Sequence, residues 1–473
     1  MRKAIFVSIL LTAGVFAVAQ DGKGKSPVRL VFTSHFQESP FGRDPVWGGW
    51  PEGSMARAMT YIRSHRQAVG GYWFALIDCG AGLSAAYSLY PGDFSGRITD
   101  YCGYETAPFF TRAEMNFAIA EPGRFFEFEC DPDVRIGLFP ERDGGLLAIA
   151  RTTDIDLAVA AFGREPEVCR VVNAAGDTVT VINLGTTGKY IGVADFISAD
   201  EFTVKTVDVS AFPVDAEYTE HFQPLADSVR NYYNAPLAAL SRTVCQSDAL
   251  FGSSAYAGLF HRFQLEASGA DVSLFACPVW GDSIPAGGVT PRDILRRFRF
   301  DNSLCVVELT GEEIRRHLEY TCGLRYYTMR RSTDDLLRMV RDRDGMLRPR
   351  TAVYNLDDAA GIRYEVDVSR PEGRRVRVLS MADGTPFDPA RRYRVAMHSH
   401  RASGSGYLSR GTALNEEELA LRTVWVAPED YRVLLRDWLA GKKEMIPQNP
   451  DNWRILPEPF AETAKQRAGT LFD

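Results

Sequence analysis

Two mixed α/β domains are the fold the sequence predicts, over about residues 28–220 and 245–460, with a helical linker at 221–244. Three observations lead there. Strand-like runs alternate with amphipathic helical stretches along most of the chain, the pattern of sheets covered by helices. A chain of 473 residues, 45% hydrophobic and 24% charged, has the composition of a globular protein and the length for more than one core. Nothing repeats at a spacing of about 20–50 residues, which sets solenoids and propellers aside.

The chain opens with Arg2 and Lys3, then an apolar run over 4–19 ending in Ala17-Val18-Ala19. These are the three parts of a secretory signal peptide, so cleavage near Ala19 and export to the periplasm or beyond are expected. The run falls short of the ~20 residues that span a bilayer, and no later segment reaches that length, so no membrane span is expected. Residues 20–27 form a polar lead. VRLVFTS (28–34) is a strand by its β-branched content, and Ser54 is placed to cap the helix MARAMTYIRSHR. GYWFALID (71–78) is a buried strand. Residues 91–133 mix proline, glycine and aromatics without a clear period and are expected to be loop-rich. From 134 to 210 short strands dominate: VRIGLF, LLAIA, IDLAVAA, CRVVN, TVTVINLG, YIGVADFI and FTVKTVDV, parted by turn residues. Residues 219–244 are helical with proline interruptions.

The second half is patterned more clearly. SSAYAGLFHRFQLEAS (253–268) is an amphipathic helix with serine at its start, and ADVSLFA is a buried strand. TPRDILRRFRF is a helix opened by Thr290, with Pro291 where a missing N–H costs nothing. SLCVVEL is a strand, and Thr310-Gly311-Glu312-Glu313 has the form of a capping box that starts the helix EEIRRHLEYTCG. The strands IRYEVDVS, RVRVLSM and YRVAMHS and the late helix PEDYRVLLRDWLAG complete the domain.

The formal charge of −7 argues against a nucleic-acid partner, because phosphate neutralisation needs a basic face. The arginine clusters (Arg296-Arg297, Arg315-Arg316, Arg374-Arg375-Val376-Arg377, Arg391-Arg392) are dispersed and are expected on solvated faces. The eight cysteines form no C-x-x-C pair; zero to two disulfides and no zinc site are expected. Asp78-Cys79-Gly80-Ala81-Gly82-Leu83-Ser84-Ala85 has the form of a dinucleotide fingerprint but lacks the following helix and strand. There is no Walker phosphate loop, H-E-x-x-H, EF-hand loop or G-x-S-x-G elbow.

FGSSAYAGLFHRFQLEASGADVSLFA, GGVTPRDILRRFRFDNSLCVVELTGEEIRRHLEY, AGIRYEVDVS and YRVAMHSHRASGSGY resemble, in the same order, the C-terminal domain of the 5'-nucleotidase family. The first half is similar in outline to that family's metallophosphoesterase domain. The resemblance implies a layered metallophosphoesterase-like β-sandwich flanked by helices, followed by a mixed α/β 5'-nucleotidase C-terminal domain. It also implies two metals in the first and a nucleoside in the second.

The residues at the implied metal positions have changed. Where the family has Asp-x-His this chain has His35 and Gln37, and the bridging Asp position reads Ala81, although Asp78 is kept. The Gly-His-x-His positions read Ala161-Phe162-Gly163-Arg164, and Asn116-Phe117 lacks the histidine of the family's Asn-His. A dinuclear phosphoesterase needs carboxylates and imidazoles there, so no metal and no other cofactor is expected. In the nucleoside domain the family's Asn-x-Gly-Gly-x-Arg is replaced by Ala276-Cys277-Pro278-Val279-Trp280-Gly281. The family's stacking Phe is His400, followed by Arg401 and a glycine loop without the late Asp. His400, Arg401, Trp280 and Tyr354 are therefore the candidate ligand-binding residues, with Tyr407 a further stacking surface. The expected function is an exported nucleotide- or nucleoside-binding member that has lost its metal site. Two alternatives stand beside it: an active phosphohydrolase with a remodelled site using His35, Asp78 and one divalent metal, and an interaction protein that binds no nucleotide and has an unknown protein partner.

Overall fold

The computed structural model describes residues 28–472 except 35–39, 50, 67–72, 79–88, 91–94, 103, 105–108, 113–114, 121–131 and 140–144. The predicted cleavage site near Ala19 therefore lies outside the described residues. The chain divides into two units, Met1–Tyr232 and Tyr233–Asp473.

The first unit is a sandwich of two sheets. One has four strands in the order Phe202–Asp208, Tyr190–Phe196, Val28–Thr33, Trp73–Asp78, with the last two parallel. The other has six: Phe109–Arg112, Met115–Ala120, Val134–Phe139, Leu157–Ala160, Thr178–Asn183, Glu167–Val172, with the middle four parallel. Alternate residues of each strand face opposite ways. Val28, Leu30, Phe32 and Ile77 of the first sheet thus pack with Phe117, Val134, Ile136, Leu157, Val159 and Ile182 of the second in one buried cluster. The other face of the larger sheet buries Ala118, Phe139, Ala158, Ala160, Val179 and Val181 with Ile149 and Ile155.

Two expectations are corrected here. Residues 91–133 hold the helix Ser95–Cys102 and the strands Phe109–Arg112 and Met115–Ala120, not only loop. The strand Met115–Ala120 takes its place from pairing with Val134–Phe139, a contact that no local signal announces. LLAIA is a helical turn, Leu146–Ile149, because Gly145 at φ 64° breaks the extended path and Ala/Leu are good helix formers. Ser54 does cap Met55–Arg66, its hydroxyl accepting from the Arg57 amide at 3.3 Å.

The helix Ala216–Asn234 runs through the predicted linker, and the unit division falls within it. The rest of that stretch is not helical: Ala238–Leu240 is a strand between Gly287–Val289 and Lys443–Met445.

The second unit centres on a five-stranded sheet in the order Asp358–Ala360, Val272–Phe275, Arg392–His398, Ser303–Thr310, Thr423–Asp430. Both predicted capping boxes form. Thr290 and Asp293 open Pro291–Arg297, and Thr310 and Glu313 open Gly311–Arg325. Ser254 caps Ala255–Ser268. The late helix starts at Tyr431 rather than Pro428, because Pro428–Asp430 continue the edge strand and Asp430 becomes the cap. A second sheet, Val376–Met381, Ile362–Asp367, Trp453–Leu456, shares its core with the first: Val272, Val307, Leu318, Tyr364, Val395 and Ile455 lie in one cluster.

Candidate functional site

Strand direction gathers the candidate residues at one end of the five-stranded sheet. Val272–Phe275 and Arg392–His398 are parallel, so the segments that follow them, carrying Trp280 and His400-Arg401, leave by the same end. Asp358–Ala360 and Ser303–Thr310 are antiparallel to those neighbours, so the segments that precede them, carrying Tyr354 and Phe300, enter there. The end of a sheet beyond the carboxyl ends of its strands is where α/β folds place ligands.

Asn302 joins two of these segments. Its Oδ1 accepts from the His400 amide and the Ser399 hydroxyl, each at 3.1 Å, and its Nδ2 donates to the Phe300 carbonyl at 3.3 Å. The Ser303 amide donates to the Ser399 hydroxyl at 3.0 Å. The two side chains held this way are both exposed, Phe300 at 80%. The phenyl ring and the imidazole, carried on tied segments, are each an exposed flat ring of the kind a base stacks on. The sequence reading passed over Phe300. The signal available was its place two residues before an asparagine at the mouth of a strand.

Arg401 is not on the rim. It is 1% exposed and lies in a cluster behind the exposed rings. Its Nε is 2.9 Å from Asp357 Oδ2, and its Nη2 donates to the Tyr354 carbonyl at 2.7 Å. Its Nη1 donates to the carbonyls of Ser405 and Gly406. His317, from Gly311–Arg325, donates from Nε2 to Asp357 Oδ2 at 2.7 Å. Burial alone would raise the Asp357 carboxyl, but Arg401 and then His317 hold it below the usual carboxylate range. The Tyr354 ring is 50% exposed while its carbonyl is held by Arg401.

His398 is partly buried, and its Nδ1 is enclosed without a partner. Burial and then the Arg401 charge lower its pKa to about 3. The folded imidazole stays neutral while the unfolded one takes a proton near 6.5. His398 therefore supports stability above pH 6.5, and that support is lost as pH falls toward 3. Denaturant titrations from pH 7 to 4 should show a shallower stability loss for His398→Asn than for the parent. Equal slopes would contradict this.

Trp280 is partly buried in a bolted loop. Arg297 donates from Nε and Nη2 to Asp282 at 2.6 and 3.0 Å, Tyr256 donates to Asp282 at 2.5 Å, and the Gly281 amide donates to Gln246 at 3.0 Å. The expectation of solvated arginines is corrected at Arg297 and Arg375, both buried: Asp282 draws in the first, and the Tyr326 carbonyl and Thr328 hydroxyl the second. Tyr407 is packed edge-on against Tyr320, with Arg410 over its ring, which makes it a wall rather than a free face.

A Ser-His-Asp set occurs nearby. His261 lies 2.9 Å from the Ser273 hydroxyl and 3.1 Å from Asp358, and Ser273 donates to Gln264 at 2.6 Å. All four are buried, so no acyl substrate reaches the serine, and the set is a brace between helix and sheet. Asp357 and Asp358 each engage one helical histidine, His317 and His261.

In the first unit the implied positions 161–164 follow the strand Leu157–Ala160, while Asn116-Phe117 lies within the strand Met115–Ala120, with Phe117 in the core. Ala160 and Asn183 end parallel neighbours. The Asn183 side chain is consumed by the turn beyond: Oδ1 accepts from the Phe162 and Gly185 amides at 3.0 and 3.2 Å, and Nδ2 donates to the Phe162 carbonyl at 2.9 Å. Thr33 pairs in register with Asp78, and its hydroxyl lies 2.9 Å from that of Tyr104. Phe162 and Arg164 do not fit a pair of divalent metals, which need several carboxylates and imidazoles. Among the described residues no group of three or more His, Cys, Asp or Glu is placed to hold a metal. His35, Gln37, Ala81 and the Asp78 side chain lie outside the described residues.

Residues 234–410 match the family model of the 5'-nucleotidase C-terminal domain. The trifunctional nucleotide phosphoesterase protein YfkN of Bacillus subtilis is 26% identical over 187 residues, 37% of this chain and 12% of that protein. A 2',3'-cyclic-nucleotide 2'-phosphodiesterase/3'-nucleotidase of Haemophilus influenzae is 23% identical over 361 residues, 68% of this chain and 51% of its own length. The chain thus spans about half or less of these relatives. A Staphylococcus aureus protein described as a 5'-nucleotidase, solved with alpha-ketoglutarate, superposes with TM-score 0.54 at 14% identity. It covers 91% of this chain and 100% of its own, a likeness of fold.

Proposed function

We propose that this chain, which belongs to the 5'-nucleotidase family through its C-terminal domain, binds a nucleoside or nucleotide there without dinuclear-metal hydrolysis in its first domain. The observation that carries the reading is the joining of Phe300 and His400 by Asn302, which presents two exposed rings at the mouth of the sheet. The base would lie against these rings, with Tyr354 as a further surface. The residues at the strand ends of the first domain support the second half of the reading: Phe162 and Arg164 cannot hold a divalent ion, and Asn183 is spent on the turn. The basic and apolar pattern of residues 2–19 supports export in this reading, and binding of nucleosides or nucleotides outside the cell membrane would be its setting.

The test is metal content of the full chain purified without chelator, with AMP and 2',3'-cyclic AMP hydrolysis measured in added Mn²⁺, Zn²⁺ or Mg²⁺. The expected result is well under one metal per chain and no turnover above the protein-free rate. Stoichiometric metal with turnover that chelator abolishes would overturn the reading and point to a rebuilt site around His35 and Asp78.

A further inference from the structure

Arg401 is a long, charged side chain that makes no use of solvent. Its three nitrogens face four oxygens on two separate pieces of chain: Asp357 and the Tyr354 carbonyl on one, and the Ser405 and Gly406 carbonyls on the other. The same oxygen of Asp357, Oδ2, also accepts from His317, which comes from the helix opened by the Thr310–Glu313 capping box. The guanidinium also lies directly on Gly406. That residue has φ +59°, and a Cβ there would fall 1.3 Å from Nη1 of Arg401. Gly404 is also left-handed, at φ +89°, and a Cβ there would fall 2.3 Å from the Ser409 hydroxyl.

We propose that Arg401 is a positioning residue that locks the 403–407 loop to the 353–357 turn, so that His400 and Tyr354 are presented as one preformed surface. This rests on the nucleoside reading above for its purpose, but the coupling is a property of the unliganded chain. The argument is geometric. Tyr354 and His400 belong to segments 46 positions apart in sequence; the Arg401 side chain holds the Tyr354 carbonyl, and Arg401 is itself the residue that follows His400. A planar fork with five donors can engage a carboxylate and several carbonyls at once, while the point charge of a lysine cannot. Without the fork each segment would have to be ordered by the ligand, and that ordering cost would appear as lost affinity.

The experiment uses the full chain, with adenosine as probe, and two variants. Arg401→Lys keeps the charge beside Asp357 and removes the fork. Gly406→Ala keeps Arg401 and displaces it. Amide hydrogen exchange is read without ligand, and adenosine affinity by calorimetry. The proposal predicts that in both variants exchange rises together in 353–357 and 403–407 while Gly311–Arg325 and Ser303–Thr310 keep their protection, and that adenosine binds roughly tenfold more weakly. Exchange that rises in only one of the two segments overturns the coupling. Parental affinity in both variants, with the segments loosened, overturns the positioning role. If the parent binds no adenosine but the segments loosen together, the coupling stands and the nucleoside reading falls instead.

Discussion

Replacing Asp357 with alanine should destabilise the C-terminal unit by about 3–5 kcal/mol, the usual cost of stranding one partner of a buried ion pair. The side chains of Asp357 and Arg401 are 2% and 1% exposed, so water cannot take over the lost contact. His317 would lose its acceptor as well, and its Nδ1 already has no partner. The effect should be read from denaturant unfolding, using a probe confined to the second unit. A loss below about 1 kcal/mol would mean that the pair is solvated, contrary to its burial. The sign with pH follows from the depressed carboxyl. A folded pKa below the unfolded value of about 3.9 gives stability that is present above that pH and lost as pH falls through the folded value. The gap between the parent and Asp357→Asn should therefore narrow below about pH 4.

The second large effect concerns Phe300 and His400. Base–aromatic stacking is worth about 1–3 kcal/mol per ring by alanine substitution. Phe300→Ala and His400→Ala should each weaken nucleoside binding by roughly 5- to 150-fold. The double variant should bind too weakly to measure. Both rings are exposed, so stability should change by less than about 0.5 kcal/mol. Parental affinity in the double variant would move the ligand away from this end of the sheet. Asn302→Ala should give a smaller loss of affinity, because it loosens both rings but removes neither.

Local chemistry in the sequence was enough to place four helix starts. Thr290 with Asp293, Thr310 with Glu313, and Ser54 and Ser254 are caps whose partners lie within three residues, so a linear reading finds them. The strands Phe109–Arg112 and Met115–Ala120 were missed because nearby prolines and glycines hide a weak alternation, and their stability comes from the sheet they join. The site was legible to the extent that the resemblance fixed it. His400 and Tyr354 lie at one end of the five-stranded sheet and are exposed, whereas Phe300 is marked only by its place two residues before Asn302. Arg401 was read as a ligand contact, yet its partners are Tyr354, Asp357, Ser405 and Gly406. Asp357 and His317 are 40 positions apart, and no spacing rule reports a contact of that kind. A buried arginine and an exposed one look the same in a sequence.

The central claim is binding at the C-terminal domain without turnover, and one calorimetric titration of the full chain tests it most directly. Adenosine and AMP are titrated separately in chelator, and the recovered AMP is assayed for phosphate release. The account predicts one site per chain, binding that needs no divalent metal, and AMP recovered intact. No heat with either ligand, or binding that appears only with added metal and returns adenosine and phosphate, would contradict it.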